Sequence, residues 1–278
     1  MYKQNLEVLK ELFNWQEISE ISVERIQEMS EKLGYPLNFE IQIKSTWGYY
    51  KKFTILSLDK TSRKNTMEPI FFLKYIREHF FSEILGFHLT YNYFDRELCA
   101  NGYLAGLYQK KSFLRNQLIP YIFLRYVKGK SIDNYNIHEF KFQLGRMAYL
   151  HKLLSLYDVY DRHFIVRPDK SLCRIDFGRS FENLQKKYIG FKDFLKSNEI
   201  NELDQEFQKG YNKEKEIIKR NLICKKNSFT KFIRSVKLLK QDHVVVSLII
   251  ERFVNRLIDH WSKIGFLNEM DITQIKWI

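Results

Sequence analysis

Apolar residues in the first part of the chain recur every three or four positions. This spacing is the period of an amphipathic helix, and it predicts helical structure over residues 3–34. The pattern ends at Gly34 and Pro36, because glycine favours the C-terminal cap of a helix and proline cannot continue one. We therefore expect residues 1–36 to form a helical N-terminal extension.

The next part of the chain changes to a strand-like pattern. Apolar and polar residues alternate over 39–44, and apolar runs between polar loops predict further strands. These further strands are expected at 52–58, 70–75, 103–109 and 121–127. One helix, at 78–93, interrupts the strands after the third of them. Residues 37–128 are therefore expected to form a small, mainly β lobe.

The remainder of the chain is mainly helical in its pattern. A helix is predicted from residue 138 to Leu154, and two short apolar runs at 164–166 and 172–175 then predict a β-hairpin. Helices and loops are expected from there to the C-terminus. The predicted fold class is thus α+β in two lobes, and the larger, mainly helical lobe at 129–278 carries a basic helical tail.

The composition indicates a folded protein with a large core. Hydrophobic residues make up 45% of the 278 and aromatic residues 16%, which excludes a disordered or collagen-like chain. The longest apolar run, 244–250, is far shorter than the roughly 20 residues of a membrane-spanning helix. The N-terminus shows no secretory pattern, so we expect a cytoplasmic protein. The three cysteines form no Cys-x-x-Cys pair, which excludes a disulfide framework and a cysteine zinc site.

The net charge of +13 is concentrated in one segment. Residues 209–240 contain eleven Lys or Arg and two Glu, a net of +9. Such a surface suits an anionic membrane, a phosphorylated substrate or nucleic acid, and it also occurs as an ordinary solvated helical face. No nucleic-acid recognition motif accompanies it. Nucleic-acid binding is therefore not favoured, and peripheral contact of 209–240 with the inner face of an anionic plasma membrane stays one of the open interpretations.

Three side chains with metal-binding or acid–base chemistry follow the helix that ends near Leu154. Asp158 comes first, His163 follows five residues later, and Asp176 ends the second strand of the predicted hairpin. The hairpin is expected to bring the three to one edge. Phosphoryl transfer needs such a set, because one carboxylate orients or deprotonates the acceptor hydroxyl while others hold Mg²⁺ on the nucleotide phosphates.

This arrangement resembles the catalytic segment of the protein-kinase-like superfamily. In that superfamily a catalytic Asp precedes a metal-binding Asn by five residues, and Asp-Phe-Gly follows. The order here is Asp158, His163 and then Asp176-Phe177-Gly178. The resemblance spans about 37–265 by element order and rests mainly on 150–182. It implies a two-lobed kinase-like fold that uses ATP and Mg²⁺, with Asp158 as the catalytic base.

His163 indicates which family within the superfamily the sequence resembles. An Asp followed five residues later by His-Phe-Ile is similar to the lipopolysaccharide core heptose and Kdo kinases, which phosphorylate core sugars at the inner membrane. That similarity implies a sugar hydroxyl of a glycolipid as the acceptor, with Asp176 and His163 on the metal side. Imidazole is a poorer Mg²⁺ ligand than oxygen, so the alternative is that His163 only hydrogen-bonds the loop.

The resemblance also implies roles for residues of the smaller lobe. Lys74, on the third predicted strand, corresponds to the lysine that contacts the α- and β-phosphates, and Glu83 would orient it from the following helix. Glu78 is the alternative partner, because it lies four residues from Lys74. The structural alternative for Lys74 is an edge-strand charge that prevents aggregation.

Two further contacts to the nucleotide are implied through the backbone. Gly48, in Ser-Thr-Trp-Gly-Tyr, would belong to the loop that covers the phosphates, although a single glycine is also typical of an ordinary hairpin turn. The base would bond backbone groups of Tyr126 and Val127, where the fifth predicted strand ends. Because side chains do not specify that contact, the sequence does not distinguish ATP from GTP.

Other interpretations stay open on the sequence alone. Asp161-Arg162-His163 is similar to the catalytic loop of lipid kinases, but the five-residue step from Asp161 reaches Val166, which cannot bind a metal. A small-molecule phosphotransferase of the aminoglycoside or choline type shares the spacing. A protein kinase would carry Ala-Pro-Glu after Asp-Phe-Gly, and residues 179–187 lack it. A pseudokinase binding module is favoured by the single glycine and by His163.

Overall fold

The computed structural model of the chain shows two compact units. The residues that it describes are 12–13, 15–37, 41–46, 52–58, 67–76, 79–110, 117–181, 189–238, 251 and 254–255. We call residues 9–80 with 100–127 the sheet unit, and residues 1–8, 81–99 and 128–278 the helical unit. Both helices and strands are present, so the α+β fold class is confirmed.

Five strands form the antiparallel sheet of the sheet unit. They are β1 (Ile41–Thr46), β2 (Lys52–Leu58), β3 (Met67–Tyr75), β4 (Tyr103–Lys110) and β5 (Gln117–Arg125). Their order across the sheet is β1-β2-β3-β5-β4. The prediction of five strands with one helix after the third is confirmed, although β5 begins earlier than its alternation indicated and ends before Tyr126.

The prediction of one helix over 3–34 is wrong for residues 15–22. Within the described part of that segment the regular helix is α1 (Val23–Lys32), which begins after Ser22. The Ser22 Oγ accepts a hydrogen bond from Arg25 N at 3.3 Å, so it caps the first turn of α1. The residues of the predicted helix that precede residue 12 lie outside the described residues.

Residues 15–18 instead run parallel to the edge strand β4. Gln16 N donates to Ala105 O at 2.8 Å, and Ile18 is bonded to β4 in the same way. An edge strand presents unpaired backbone N–H and C=O groups. Hydrogen bonds to these groups stabilise residues 15–18 in an extended conformation, although the spacing of the apolar side chains favours a helix. This close approach needs Gly106, because a Cβ there would lie 1.7 Å from Gln16 O.

The N-terminal segment also contributes to the core of the sheet unit. Ile26 and Met29 of α1 are fully buried in an apolar cluster with residues of β1, β2, β3 and β5. Within that cluster the rings of Phe71 and Phe123 stack with their centroids 4.7 Å apart. Burying apolar surface contributes about 25 cal/mol per Å² to stability. We therefore regard α1 as part of the support of the sheet.

The helical unit contains five α-helices of nine residues or more among its described residues. They are α2 (Phe80–Asn92), which begins at the unit boundary, α3 (Lys141–Leu154), α4 (Ile189–Ser197), α5 (Gln205–Cys224) and α6 (Lys226–Leu238). A small antiparallel sheet consists of β6 (Lys130–Ser131), β7 (Phe164–Val166) and β8 (Leu172–Arg174). The predicted hairpin after α3 is confirmed by β7 and β8.

Helices α3 and α5 approach each other so closely that each needs a glycine. A Cβ on Gly145 would lie 2.0 Å from Phe207 O, and a Cβ on Gly210 would lie 1.9 Å from Phe142 O. Neither clash can be relieved by a side-chain rotation, because both involve the backbone of the partner helix. This contact fixes α3, and with it the point from which the chain enters the Asp158 loop.

Candidate active site

The chain leaves α3 through a residue in the left-handed conformation. Ser155 has φ 50° and ψ 38°, which is unusual for a residue other than glycine. Leu156 N donates back to His151 O at 3.0 Å and closes the end of the helix. A 3₁₀ turn follows at Asp161–His163. The loop that carries Asp158 is therefore anchored at both ends.

The main-chain carbonyl of Asp158 is a second anchor for this loop. It accepts hydrogen bonds from Arg174 Nη2 at 2.9 Å and from His163 Nδ1 at 3.3 Å. Because both bonds go to the carbonyl, they fix the backbone without neutralising the carboxylate. The residue itself is half-buried.

The register of the hairpin brings His163 beside Asp176. Strands β7 and β8 pair antiparallel, and Ile175 N donates to His163 O at 3.1 Å. His163 Nε2 and Asp176 Oδ2 are 4.0 Å apart as a result. Together with the carbonyl of Asp158, the structure thus assembles the three predicted residues at one end of the hairpin.

His163 is neutral at neutral pH and has a defined tautomer. It is 5% exposed, and burial together with the charge of Arg174 lowers its pKa to about 4, against the opposing effect of Asp176. A carbonyl oxygen only accepts hydrogen bonds, so Nδ1, which faces Asp158 O, carries the ring proton. His163 Nε2 therefore presents its lone pair towards Asp176.

Arg174 and His151 form a buried pair that the sequence analysis missed. Both are completely buried, and Arg174 Nη1 lies 3.0 Å from His151 Nε2. Burial lowers the pKa of Arg174 to about 10, although Asp176, Asp158 and Glu83 act in the opposite direction. Burial and Arg174 hold the pKa of His151 well below its usual value, so His151 is neutral and accepts the bond. The available signal was a charged residue inside the apolar run of β8.

The Asp176-Phe177-Gly178 turn is closed by its own side chain and packs on α2. Gly178 N donates to Asp176 Oδ1 at 2.9 Å. Phe177 is fully buried and meets Phe87 of α2 edge-on, with ring centroids 5.2 Å apart. Glu83, also on α2 and 2% exposed, has its Oε2 3.9 Å from the position of a Cβ on Gly178. Helix α2 therefore places the Glu83 carboxylate close to Gly178 of this turn.

Lys74 belongs to the sheet unit and lies on β3. Its alternative interpretation as an edge-strand charge is wrong, because β3 lies between β2 and β5. The residue is 9% exposed, and a lysine at that depth needs compensating contacts because burying an unpaired charge is costly. Its pairing with Glu83, a residue of the helical unit, stays a prediction. The alternative partner, Glu78, lies outside the described residues.

The predicted contacts to the nucleotide base lie where β5 ends. Tyr126 is 37% exposed, and its N–H donates to Ile70 O at 2.9 Å within the sheet unit. Val127 is the last residue of that unit. Gly48, the residue predicted for the phosphate loop, lies outside the described residues.

The donors near Asp176 fit a divalent cation that is shared with a nucleotide. Among the described residues, no three or more His, Cys, Asp or Glu side chains are grouped to hold a metal. Asp176 Oδ2 and His163 Nε2 form a pair. Mg²⁺ in phosphoryl-transfer sites is typically held by one or two carboxylates, with phosphates and water as its other ligands. The pair is therefore sufficient for a metal–nucleotide complex and insufficient for a metal alone.

The basic segment contributes exposed cations to α5 and α6. Lys213, Lys231 and Arg234 are exposed, whereas Phe229 on the other side of α6 is buried. Ile223, near the junction of the two helices, is 55% exposed. The helices within the described ranges include none that is long and apolar enough to cross a membrane. This part of the surface is positively charged and carries one large apolar side chain.

Comparison with protein-family models and with curated proteins found no match to this chain. The function is therefore inferred from the geometry of the site and from the resemblance of its residues.

Proposed function

We propose that the protein is a kinase that transfers the γ-phosphate of ATP to a sugar hydroxyl of a glycolipid. The acceptor class is that of the lipopolysaccharide core, with heptose or Kdo as the sugar. The proposal is carried by one end of the β7–β8 hairpin, where Asp158, His163 and Asp176 lie at the start of an Asp-Phe-Gly turn. A carboxylate, a neutral imidazole and a second carboxylate, in that order along the chain, are groups that phosphoryl transfer can use.

Each residue has a separate task in this proposal. Asp158 takes the proton of the acceptor hydroxyl as the hydroxyl oxygen bonds to the γ-phosphorus and the bond to the leaving ADP oxygen breaks. Asp176 and His163 hold the divalent cation. When bound, Mg²⁺ would neutralise negative charge on the nucleotide phosphates. Arg174 holds the backbone of the Asp158 loop, so it is a positioning residue.

The sheet unit supports the two-lobed, kinase-like fold that the proposal requires. Its strand order β1-β2-β3-β5-β4, with α2 between β3 and β4 in the chain, agrees with the element order of the resemblance. Lys74 would contact the α- and β-phosphates, and Glu83 would orient it. Because the Tyr126 N–H is already bonded to Ile70, Val127 is the residue expected to donate to the base.

The positive surface of α5 and α6 supports a lipid-linked, anionic acceptor. Exposed Lys213, Lys231 and Arg234 would be attracted to an anionic membrane by about 1 kcal/mol for each charge near the surface. Ile223 would add an apolar contact at the membrane interface. Replacing the three cations by Gln should weaken binding to anionic vesicles and leave binding to neutral vesicles unchanged. Equal binding of both proteins to anionic vesicles would remove this support.

The decisive experiment is the transfer of labelled γ-phosphate from Mg·ATP into a glycolipid extract that contains lipopolysaccharide. Asp158→Asn is expected to lower the rate about 10²- to 10⁴-fold, the usual contribution of a general base. Asp161→Asn, three residues further along the same loop, is the matched control and should retain activity. Loss of activity only in the Asp161 variant would favour the lipid-kinase interpretation of this loop.

A panel of other acceptors, tested in parallel, separates the alternatives. Transfer only to aminoglycosides, choline or protein would change the acceptor class and keep the role of Asp158. ATP binding without transfer to any acceptor would favour a pseudokinase. A folded protein that binds no nucleotide at all would contradict the proposal.

A further inference from the structure

We infer that a cavity of the helical unit binds a phosphate monoester through Arg96, Arg220 and Lys225. The cavity has a volume of about 310 Å³ and lies between the end of α2, with the turn that follows it, and the C-terminal part of α5. Small-molecule pockets in proteins have volumes of about 300–1,000 Å³, so the cavity is large enough for a small phosphorylated molecule or a lipid headgroup. None of the three cations belongs to the Asp158 site, and the inference is independent of the proposed function.

Arg96 and Arg220 differ from the other described arginines in having no partner. Within the part of the chain that the structure describes, neither guanidinium group forms a hydrogen bond, an ion pair or a ring contact. Every other described arginine makes at least one such contact, as Arg146 and Arg167 do at the turn beside the cavity. The two exceptions lie on separate elements, and both line this cavity. The cavity therefore brings together guanidinium donors that the described protein groups do not use.

The backbone acceptors at the end of α2 are already occupied. Lys225 Nζ donates to Asn92 O, and Asn221 Nδ2 donates to Phe94 O. Carbonyls at the C-terminal end of a helix carry partial negative charge, and these two bonds offset it. An ammonium group has three N–H donors, so Lys225 keeps donors for a ligand after this bond. The cavity thus offers N–H donors, and a ligand that fits it must supply acceptors.

The acids near the cavity do not cancel its positive charge. Asp95 Oδ2 lies 2.6 Å from Arg146 Nη2, and Glu97 Oε2 lies 3.3 Å from the same nitrogen. Arg146 Nε also donates to Glu214 at 2.9 Å. The three cations of the cavity together with Arg146 outnumber these three acids, even if every acid is charged. An anionic ligand is therefore favoured over a neutral or cationic one.

The turn that carries Arg96 is held in place by bonds within the helical unit. Asp95 Oδ1 accepts from Glu97 N at 2.9 Å and caps the 3₁₀ turn Arg96–Leu98. Arg167 donates to the carbonyls of Glu97 and Cys99. The bond from Asn221 to Phe94 O then joins α5 to the same turn. The cavity is preformed as a result, which is usual for small-molecule sites.

A phosphate monoester matches this set of donors better than a carboxylate does. Guanidinium groups bind both through paired N–H donors. A phosphate monoester, however, carries a charge of about −1.5 to −2 at neutral pH and has three strong acceptor oxygens, whereas a carboxylate has one charge and two oxygens. Three cations on two elements therefore suit a phosphate monoester. A free phosphorylated molecule and a lipid headgroup can both present this group.

The first arm of the test measures the binding of glycerol 3-phosphate to the full chain by calorimetry. Arg96→Gln and Arg220→Gln change exposed side chains, and each should weaken binding about tenfold by removing charged donors. Lys231→Gln removes an exposed cation of α6 that does not line the cavity, and this matched control should change the affinity by less than about twofold at physiological ionic strength. Asp176→Asn should also retain binding, which separates the cavity from the Asp158 site.

The second arm identifies the source of the phosphate with two kinds of phosphatidylcholine vesicle of equal surface charge. One contains phosphatidic acid, which presents a phosphate monoester, and the other contains phosphatidylglycerol, whose phosphate is a diester. A preference for phosphatidic acid that is lost in Arg96→Gln and kept in Lys231→Gln would support the inference and assign the ligand to a lipid. Arginine-dependent binding of glycerol 3-phosphate without that preference would support it and assign the ligand to a free molecule.

Three results would overturn the inference. The first is a folded wild-type protein that neither binds glycerol 3-phosphate nor prefers phosphatidic acid. The second is binding that Arg96→Gln and Arg220→Gln both retain, which would place the ligand elsewhere. The third is an equal loss in Lys231→Gln, which would indicate a general effect of surface charge. All three leave the proposed function intact, because phosphate transfer by Asp158 is measured separately.

Discussion

Among its described residues the helical unit contains two buried arginines, Arg146 and Arg174, and they are held in opposite ways. Arg146, on α3, donates to the carboxylates of Asp95 at 2.6 Å, Glu214 at 2.9 Å and Glu97 at 3.3 Å. Burial alone would lower the pKa of Arg146, but these carboxylates outweigh it, and the pKa is raised. Burial and Asp95 raise the pKa of Glu214 to about 8, because one guanidinium serves three acids.

Arg174, on β8, has neutral partners instead. Its two terminal nitrogens meet His151 Nε2 and Asp158 O, and its Nε is buried with no hydrogen-bond partner in the described part of the chain. Burial lowers its pKa to about 10, whereas the pKa of Arg146 is raised. The charge of Arg174 acts on the carboxylates of the site without being bonded to them in a closed cluster.

The two arginines differ in how they are connected to nearby acids. At Arg146 the acids and the base bond one another directly, and this joins α3 to α5 and to the turn that follows α2. Near Arg174 the side chain of Asp176 remains 27% exposed. A buried charge that is paired in contact joins helices, whereas a strongly perturbed pKa beside partly exposed carboxylates marks a candidate functional site.

The largest expected effect on stability is at Arg146. Arg146→Met leaves Asp95 buried without its counterion and Glu214 without its hydrogen-bond donor, which should lower the free energy of unfolding by about 3–5 kcal/mol. Denaturant titration at neutral pH measures this change. Glu216→Gln, on the exposed side of α5, is the control and should change stability by less than about 0.5 kcal/mol. A loss no greater than that of the control would mean that the Arg146 cluster does not hold the helices.

The second effect should separate activity from stability at Arg174. Arg174→Met removes donors from His151 Nε2 and Asp158 O, which should cost about 1–3 kcal/mol of stability. If Arg174 positions the Asp158 loop, kcat for phosphate transfer should fall about 10- to 100-fold while KM for ATP stays nearly constant. Both constants are measured by steady-state kinetics at a temperature at which the variant is folded. An unchanged kcat would give Arg174 a purely structural role.

The pH dependence of stability should have opposite signs in the two regions, beginning with Glu214. The pKa of Glu214 is about 8 in the folded protein and close to the ordinary glutamate value of 4.5 when unfolded. Between these values the folded state binds more protons, so stability falls as the pH rises from about 4.5 to about 8. Glu214→Gln should reduce this slope by up to about 1.4 kcal/mol per pH unit. Parallel slopes in both proteins, measured by denaturation across that range, would contradict the raised pKa.

At His163 the sign reverses, and the pKa changes by less than that of Glu214. The pKa of His163 falls from the ordinary histidine value of 6.5 to about 4 in the folded protein, so the unfolded state binds more protons between these values. The contribution to stability is present above about pH 6.5 and is lost as the pH falls through about 4. His163→Asn should flatten this acid limb, and the exposed-site control His138→Asn should not. The same acid profile in both variants would show that His163 titrates normally.

Much of the fold could be predicted because it depends on local patterns. The strands β1 to β5 follow from alternation along each segment, and the hairpin of β7 and β8 follows from two apolar runs around a short turn. The same local register brings His163 beside Asp176, since the residues that flank a hairpin at its open end become neighbours. This is why three residues of the candidate site could be named from their spacing.

The remaining features depend on partners that are distant in the chain. Gln16 N donates to Ala105 O of β4, and the spacing of apolar residues within 3–34 does not indicate that contact. Arg174 meets His151 across 23 positions, and Arg146 meets Glu214 across 68. Such pairs form only when separate elements pack. The helical pattern therefore predicted the wrong structure for residues 15–22, and both buried arginines were missed.

By itself, therefore, the sequence determined the α+β order of the elements and the grouping of Asp158, His163 and Asp176, because hydrogen bonding within a helix or a hairpin is set by near neighbours. The tertiary structure alone decided which ionisable groups are neutral and where they point. The neutral state of His163 and the direction of its Nε2 depend on burial, on Arg174 and on the carbonyl of Asp158. Burial and the distance between charges arise only when the elements pack together, and they fix the chemistry that the site can perform.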